Sequence, residues 1–413
     1  MRRRKVLLTL MVTGLIAAVT AVARGDNALR EQMLRVLPQA DLNQDGKISE
    51  SEESRVRRQA LKRFPQLDRD SDGKLSDTEM RAMLRSAAQR AARNQPRTEK
   101  TGSDASPKAM EAKLRDEMGL VVEKDIAYRT DTGQPTNRLD FIHPKRKVYE
   151  RAPLLVYIHG GGNTGGSKNV IYNKGDQIIK ELTSQGIAIA SIDYRLLGKD
   201  QEVGFHQLFQ DCKDALRFLA QNSDRFKIDP HRMITWGTSA GGSKALLCAL
   251  TKSDFLPGEV MGEDCDHTVI GGISFFGATT YMVPELWQKR LERFPNRSQT
   301  KAAMIMKPSG GMTIDEIRTL VSPDQHLAST SAPILLVHGD NDPVVPTELS
   351  EHLHQLGQRK GADVKFVKVK NAGHGFAPVR GKEASMTWDD SQQLVVEQVQ
   401  QWLRTTQNKT TSE

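Results

Sequence analysis

The stretch that most constrains this chain is Met233-Ile-Thr-Trp-Gly-Thr-Ser-Ala-Gly-Gly242, which sets Ser239 in a Gly-x-Ser-x-Gly frame. An apolar, strand-like run, Met233 to Trp236, leads into it, and the helical run Ala245-Leu-Leu-Cys-Ala-Leu250 leaves it. Glycine at Gly237 and Gly241 permits a turn too tight for flanking side chains, so the serine is pushed out at a strand-to-helix junction. The amide of Ala240 then falls at a helix N-terminus, where N–H groups without helical partners favour developing negative charge. The pentapeptide alone recurs by chance. Here the strand, turn and helix that give it meaning are all present.

The rest of the C-terminal two-thirds reads in the same alternation. Leu154 to His159, Ile187 to Tyr194, Met233 to Trp236, Val269 to Phe276, Ile334 to His338 and Val364 to Val369 are short apolar runs rich in β-branched residues, as buried parallel strands are. Between them, Leu208, Cys212, Ala215, Leu216 and Leu219 share one helix face. This predicts an α/β domain over residues 114–406, a doubly wound and mostly parallel sheet, with Val121 to Tyr128 and Asn137 to Ile142 as an antiparallel hairpin at its edge.

The net charge is +8, but four positives, Arg2, Arg3, Arg4 and Lys5, stand at the N-terminus. No aromatic and basic residues interleave as in nucleic-acid binding, so a nucleic-acid partner is not expected. The basic cluster, the apolar run Val6 to Val22 and Ala21-Val-Ala23 read as a leader over residues 1–23. Cleavage is favoured, since Thr9, Thr13, Gly14 and Thr20 dilute the run. The body is then exported, periplasmic or secreted, and membrane-anchored only if the leader stays. The three cysteines, Cys212, Cys248 and Cys265, have no metal spacing; one disulfide, such as Cys248 with Cys265, or buried thiols both fit.

Residues 27–86 carry two acidic loops. The first sets oxygen side chains at Asp41, Asn43 and Asp45, a glycine at Gly46, the carbonyl of Lys47 and a glutamate at Glu52; the second repeats the pattern with Asp68, Asp70, Asp72, Gly73, Lys74 and Glu79. Hard oxygen donors at alternate positions, a glycine for the sharp turn and a glutamate able to chelate with both oxygens are what a calcium ion requires. Ile48 and Leu75 hold equivalent positions, where paired loops bridge through a short two-stranded contact. The segment Leu29 to Ser86 resembles the EF-hand family. Only Glu53 to Leu67 separates the loops, which predicts one shared helix, Arg55 to Phe64, stopped by Pro65. Calcium is expected here as a structural staple, with no cofactor in catalysis. Residues 87–113, rich in Ala, Arg, Gln, Ser, Thr and Lys, read as a linker.

A serine hydroxyl needs a base, and the base needs an orienting group. Downstream of Ser239, the strand Ile334 to His338 runs into Gly339-Asp340-Asn-Asp342-Pro-Val-Val-Pro346, and Val364 to Lys370 runs into Asn371-Ala-Gly-His374-Gly-Phe376. Loops after the C-terminal ends of strands are where open α/β sheets build their sites. His374 is the candidate base. Asp342 or Asp340 can be the acid; Asp342 is preferred because Asp340 directly follows the strand and suits a turn cap. Upstream, His159-Gly160-Gly161-Gly162 follows a buried strand, and its amides can approach a substrate oxygen. Gly165 to Lys168 read as a flexible continuation of that loop. The order Ser, acid, His is that of the α/β hydrolases.

Through these motifs, with Asp193-Tyr-Arg195 and Asp229-Pro-x-Arg232, residues 121–403 resemble exported α/β hydrolases of the esterase/lipase group, near the acetyl-xylan and feruloyl esterase-like enzymes. The resemblance implies a carboxylic ester hydrolase with nucleophile Ser239, acid Asp342, base His374 and oxyanion amides from Gly161, Gly162 and Ala240. It implies an ester substrate, acylated polysaccharide among the candidates. Asn163 departs from the pattern, since many relatives place tryptophan after the glycines. A serine peptidase of the prolyl oligopeptidase type shares the order but carries a propeller for which this chain has neither length nor repeat. A non-catalytic calcium-dependent scaffold would have no need of all three residues. Asp193 and Arg195 are expected to pair as ions. His143, His206, His231, His267, His326, His352 and His354 are expected at the surface or at helix ends. Trp287, Met304, Met306 and Met312 could belong to a cap.

Overall fold

The computed structural model describes residues 29–31, 33–34, 40–41, 45–63, 67–68, 70–84, 112–129, 137–198, 203–260, 265–287 and 307–410. The leader, nearly all of the linker, Asn43, Met304 and Met306 lie outside them. The chain divides into two compact units, Met1–Asp104 and Ala105–Glu413.

In the first unit the two acidic loops are built alike. Asp41 and Asp68 each accept the amide of the turn glycine at 2.9 Å, and Gly46 and Gly73 share a φ of +79°. At each exit a serine and a glutamate cap one another: Ser49 N donates to Glu52 Oε2 and Ser76 N to Glu79 Oε2, both at 2.9 Å. The glutamate that closes the loop thus also starts a helix. The helix expected from Arg55 accordingly begins earlier, as α1, Glu50–Arg63, with three acidic residues in its first turn. Arg57 on α1 donates to the Leu75 carbonyl at 2.5 Å and pairs with Glu53 and Asp77, tying the helix to the second loop. Ile48 and Leu75 are buried with Leu29, Met33 and Met80. The two-stranded contact expected between them is not among the bridges of the described residues.

The second unit is one eight-stranded sheet: β1, Val122–Ala127; β2, Arg138–Ile142; β3, Ala152–Ile158; β4, Ala188–Ile192; β5, Ile228–Thr238; β6, Val269–Phe275; β7, Ile334–Gly339; and β8, Val364–Val369. Their spatial order is β1-β2-β4-β3-β5-β6-β7-β8. β1 and β2 pair antiparallel at one edge, as expected, β2 also runs antiparallel to β4, and the remaining neighbours are parallel. Alternate residues of each strand feed opposite cores. Leu154, Val156 and Ile158 meet α3, Phe205–Gln221, and α4, Ala240–Leu250. Leu155, Tyr157, Ile234 and Trp236 meet α2, Asp176–Ser184, and α7, Trp388–Thr410. Two further helices, α5, Ile314–Val321, and α6, Glu348–Lys360, complete the layers.

The polar side of α3 is buried too. Asp211 pairs with Arg129 at 3.0 Å and Arg195 at 2.7 Å, and Asp214 pairs with Arg129 at 3.0 Å and Arg217 at 2.9 Å. The expected Asp193–Arg195 pair is therefore replaced. Arg195 turns to α3, while Asp193 accepts the Lys168 amide at 2.6 Å on the other side of the strand end. Lys213 donates to the Thr251 and Lys252 carbonyls, closing the C-terminus of α4 where cations are favoured. All three cysteines are buried thiols, and no disulfide joins Cys248 to Cys265.

Candidate active site

Ser239 stands between β5 and α4 with φ 53° and ψ −118°, a strained conformation for a residue with a side chain. The flanking glycines explain how the turn closes. A Cβ on Gly237 would lie 2.2 Å from the Gly241 carbonyl oxygen, and one on Gly241 would lie 2.0 Å from that of Ile158. The serine amide is held by the Phe275 carbonyl at 2.8 Å, and Ala240 opens α4.

Two later strand ends complete the constellation. His374 Nε2 lies 3.1 Å from Ser239 Oγ, and its Nδ1 lies 2.7 Å from Asp342 Oδ2. The Asp342 carboxylate is wholly buried, and its other oxygen accepts the Val344 and Val345 amides at 2.7 and 2.9 Å. Burial alone would raise this carboxyl; hydrogen bonds from His338 and His374, with the charges those rings can carry, override it and hold it far below the usual range. Asp340 instead accepts the Ala372 amide at 3.2 Å and pairs with Asn341, a turn-capping place.

His338 is a participant that sequence reasoning passed over. It is fully buried at the end of β7, with Nε2 3.3 Å from the same Asp342 oxygen that faces His374. That nitrogen also donates to the Val345 carbonyl at 2.9 Å, so Nδ1 is left to accept from Ser350 Oγ at 2.7 Å. A histidine closing an otherwise apolar strand four residues before the acid was the available signal. Phe276 was also missed. It packs edge-on to His374 with centroids 4.6 Å apart, at a φ of 43°.

The glycine turn after β3 lies against the serine. A Cβ on Gly160 would approach Ser239 Cβ to 3.3 Å. Gly161 and Gly162 adopt φ 123° and 64°. The Gly165–Gly166 segment, expected to be flexible, is interlocked with them. A Cβ on Gly161 would fall 1.9 Å from the Gly165 carbonyl oxygen, and one on Gly166 would fall 2.1 Å from that of Gly160. Lys168 is buried and paired with Asp125 at 2.8 Å and Asp140 at 2.9 Å. His159 stacks on Tyr194 and donates from Nδ1 to the Gly160 carbonyl at 2.6 Å; burial lowers its pKa to about 4, so the ring is neutral. Burial raises the neighbouring Asp193 to about 6.

Of the other histidines, His206 stands at the start of α3, a helix end as expected though buried, whereas His267 is buried just before β6. A cleft of about 730 Å³ lined by His206, Phe255, Met312 and His326 among others includes none of Ser239, Asp342 and His374, so it is not the site of this chemistry.

In the calcium loops, carboxylate oxygens of Asp68, Asp70 and Glu79 lie within 4.8 Å of one another. The Asp72 amide favours the charged form of Asp70, but the hydrogen bond with Asp68, burial and the nearby acids raise its pKa overall. Hard oxygens crowded to mutual repulsion fit a calcium ion. Asp72 accepts the Lys74 amide at 2.8 Å, as Asp45 does that of Lys47.

The BD-FAE family model matches residues 139–356, a TAP-like protein model matches residues 316–406, and an EF-hand model matches 37–52 and 61–84. Esterase LipC of Mycobacterium tuberculosis is 26% identical over 271 residues, 65% of this chain and 63% of its own length. The isoprenylcysteine alpha-carbonyl methylesterase ICME of Arabidopsis thaliana is 26% identical over 262 residues, 61% of this chain and 56% of its own. The chain thus spans less than two-thirds of either relative. Among solved structures, a truncated carbohydrate esterase from gut microbiota superposes with a TM-score of 0.53 at 22% identity, covering 68% of this chain and 96% of that one. Esterase 2 of the planctomycete Thermogutta terrifontis, bound to propionate, gives 0.51 at 20% identity, covering 70% and 96%. These likenesses carry the fold. With more than half its residues under one family model, on a mostly parallel sheet with a glycine-flanked serine elbow, the chain belongs to the BD-FAE family of α/β hydrolases.

Proposed function

We propose that the protein is an exported serine esterase that hydrolyses carboxylic esters, with a calcium-binding module at its N-terminal end. The observation that carries this reading is the unbroken chain from Ser239 Oγ through His374 to buried Asp342, at 3.1 and 2.7 Å. In the proposed reaction His374 Nε2 takes the Ser239 proton as Oγ attacks the ester carbonyl. Asp342 holds the ring in the tautomer that presents Nε2 to the serine and stabilises the imidazolium that forms. The amides of Gly161, Gly162 and Ala240 receive the oxyanion. His374 then protonates the departing alcohol, and water attacks the acyl-enzyme by the same steps in reverse.

Acyl groups on carbohydrate are the proposed substrates, a choice supported by the carbohydrate esterase among the structural neighbours. Calcium, held by Asp41, Asn43, Asp45, Lys47 and Glu52 and by Asp68, Asp70, Asp72, Lys74 and Glu79, is proposed to staple its own unit and take no part in the chemistry. Export rests on the basic and apolar pattern of residues 1–23. Among the described residues no helix is long and apolar enough to cross a membrane.

The test is a panel of p-nitrophenyl acyl esters, acetylated and feruloylated oligosaccharides and a peptide p-nitroanilide, run on wild type and Ser239→Ala. Ester turnover should fall by about 10⁴-fold or more in the variant. Turnover of the anilide alone would move the reading to a peptidase, and turnover of nothing would remove the enzyme.

A further inference from the structure

We propose that Lys244 is a positioning residue for the oxyanion donors, clamping the glycine turn to the start of the serine's own helix. It rests on the reading of Ser239 as nucleophile. Lys244 follows Ser239 by five residues on α4 and is completely buried. Among the described residues no carboxylate pairs with it. Its ammonium donates to Asn163 Oδ1 at 2.6 Å and to the Ala240 carbonyl at 3.3 Å. It also lies 4.6 Å from the ring centroids of both Tyr194 and Phe209.

Three of these contacts, to Asn163, Ala240 and Tyr194, reach a part of the proposed oxyanion apparatus. Asn163 directly follows Gly161 and Gly162, is buried, and sits at φ 67°, with its own carbonyl accepting the Leu197 amide at 2.8 Å. Ala240 supplies the amide at the head of α4. Tyr194, beneath the ammonium, donates to the His159 carbonyl at 2.8 Å, just before the glycines. One cation therefore holds both donor segments and the ring that braces the turn.

A methionine would fill the same space without burying a charge, and replacing a buried ion by an apolar side chain of similar volume is often neutral or stabilising. What the ammonium adds is directional: donors aimed across the gap between two backbone segments, with the ring faces offsetting lost water. The same site contains the departure at Asn163, where an amide oxygen stands ready to receive it.

Burial draws the lysine down to about 8. The ionisable groups facing it are Asp211 and Cys212 from α3, Cys248 from its own helix, His159 from the turn and Tyr194 after β4. Above about pH 8 the ammonium is lost and its charge-assisted bond to Asn163 weakens. Turnover should therefore fall as pH rises through that value, a limb belonging to Lys244 and absent from a variant lacking it.

The experiment compares full-length wild type, Lys244→Met, Asn163→Ala, the double variant and Ser239→Ala on p-nitrophenyl acetate, with melting temperatures and pH profiles of kcat. Lys244→Met should lower kcat about 10- to 100-fold, short of or equal to the loss of one oxyanion donor. KM should stay within about twofold, the melting temperature should not fall, and the limb near pH 8 should disappear. Asn163→Ala should match it in kcat and KM, with a lowered melting temperature because the buried ammonium loses its acceptor, and the double variant should be no worse in kcat than the poorer single. Should Lys244→Met fail to fold, Asn163→Ala carries the same readout with the cation in place. A kcat for Lys244→Met within twofold of wild type would overturn the proposal, as would a loss of kcat with a lowered melting temperature and an unchanged pH limb. If Ser239→Ala keeps full turnover, the nucleophile assignment fails instead.

Discussion

Each acidic loop of the first unit keeps its ligands inside one short window, Asp41 to Glu52 or Asp68 to Glu79. Ser239 and His374 stand 135 positions apart and meet at 3.1 Å. The loops are shaped by their own backbone, through a glycine at φ +79° and a capping serine, and need little beyond themselves and one helix. The serine centre is shaped by register: β5, β7 and β8 must end in step for three side chains to converge. Local sites fail locally, and a convergent site inherits every weakness of the sheet that assembles it.

The strongest way to break that contrast is to strike the sheet's support and leave the three site side chains in place. Asp211→Ala leaves Arg129 and Arg195 buried without their shared carboxylate, at a cost of about 3–5 kcal/mol. Urea unfolding of the second unit should shift accordingly, and ester turnover should vanish at lower urea than in wild type. Calcium affinity, measured by titration calorimetry, should not move. An equal loss in calcium affinity would erase the distinction.

A gentler probe is acid. Burial lowers His267 from 6.5 to about 4, so the unfolded chain takes a proton near pH 6.5 that the folded one refuses until about pH 4. The stability this group contributes is present above pH 6.5 and is lost as pH falls toward 4, about 3 kcal/mol at most. His267→Gln should flatten that part of the curve in thermal melts of the second unit. An unchanged slope would show that the ring is not the group responsible.

The smallest expected effect is the removal of calcium. With the proposed export, loops of this kind should bind at about 0.1–1 mM, and 10 mM calcium should stabilise the first unit by about 2 kcal/mol. Chelation, or Glu79→Gln for the second loop alone, should lower only that unit's melting transition, with ester turnover unchanged within about twofold. Parallel loss of turnover would mean that the two sites are coupled.

How far each site could be read from the chain follows the same division. Both calcium loops are legible because spacing along the backbone is spacing in space. The serine elbow is legible for the same reason, since Gly237 and Gly241 serve contacts only a few residues away. His374 and Asp342 were reachable by chain order, because parallel strands put their following loops at one end of the sheet. The partner of Arg195 was not. Whether Asp193 or Asp211 meets it depends on how α3 is rotated against β4, a property of packing. Lys244 and His338 were hidden for a related reason. A lysine on an apolar helix face reads as an exposed interruption until two aromatic rings and an asparagine from other elements close over it. The stiffness of Gly165–Gly166 was hidden too, since glycine permits freedom and only the surrounding atoms remove it.

The position of β8 has a thermal consequence. Among the described residues it is the last strand of the sheet and is laddered to β7 alone, whereas β5 is laddered on both sides. His374 follows the first and Ser239 the second. Edge elements exchange their amide hydrogens through small openings, and central strands only through large ones. Amides of Val364–Val369 should therefore exchange well before those of Ile228–Thr238. On warming, His374 should leave Ser239 while the body of the sheet still stands. Turnover would then fade reversibly below the melting temperature, and the protein would carry a built-in upper limit to its working range set by one strand.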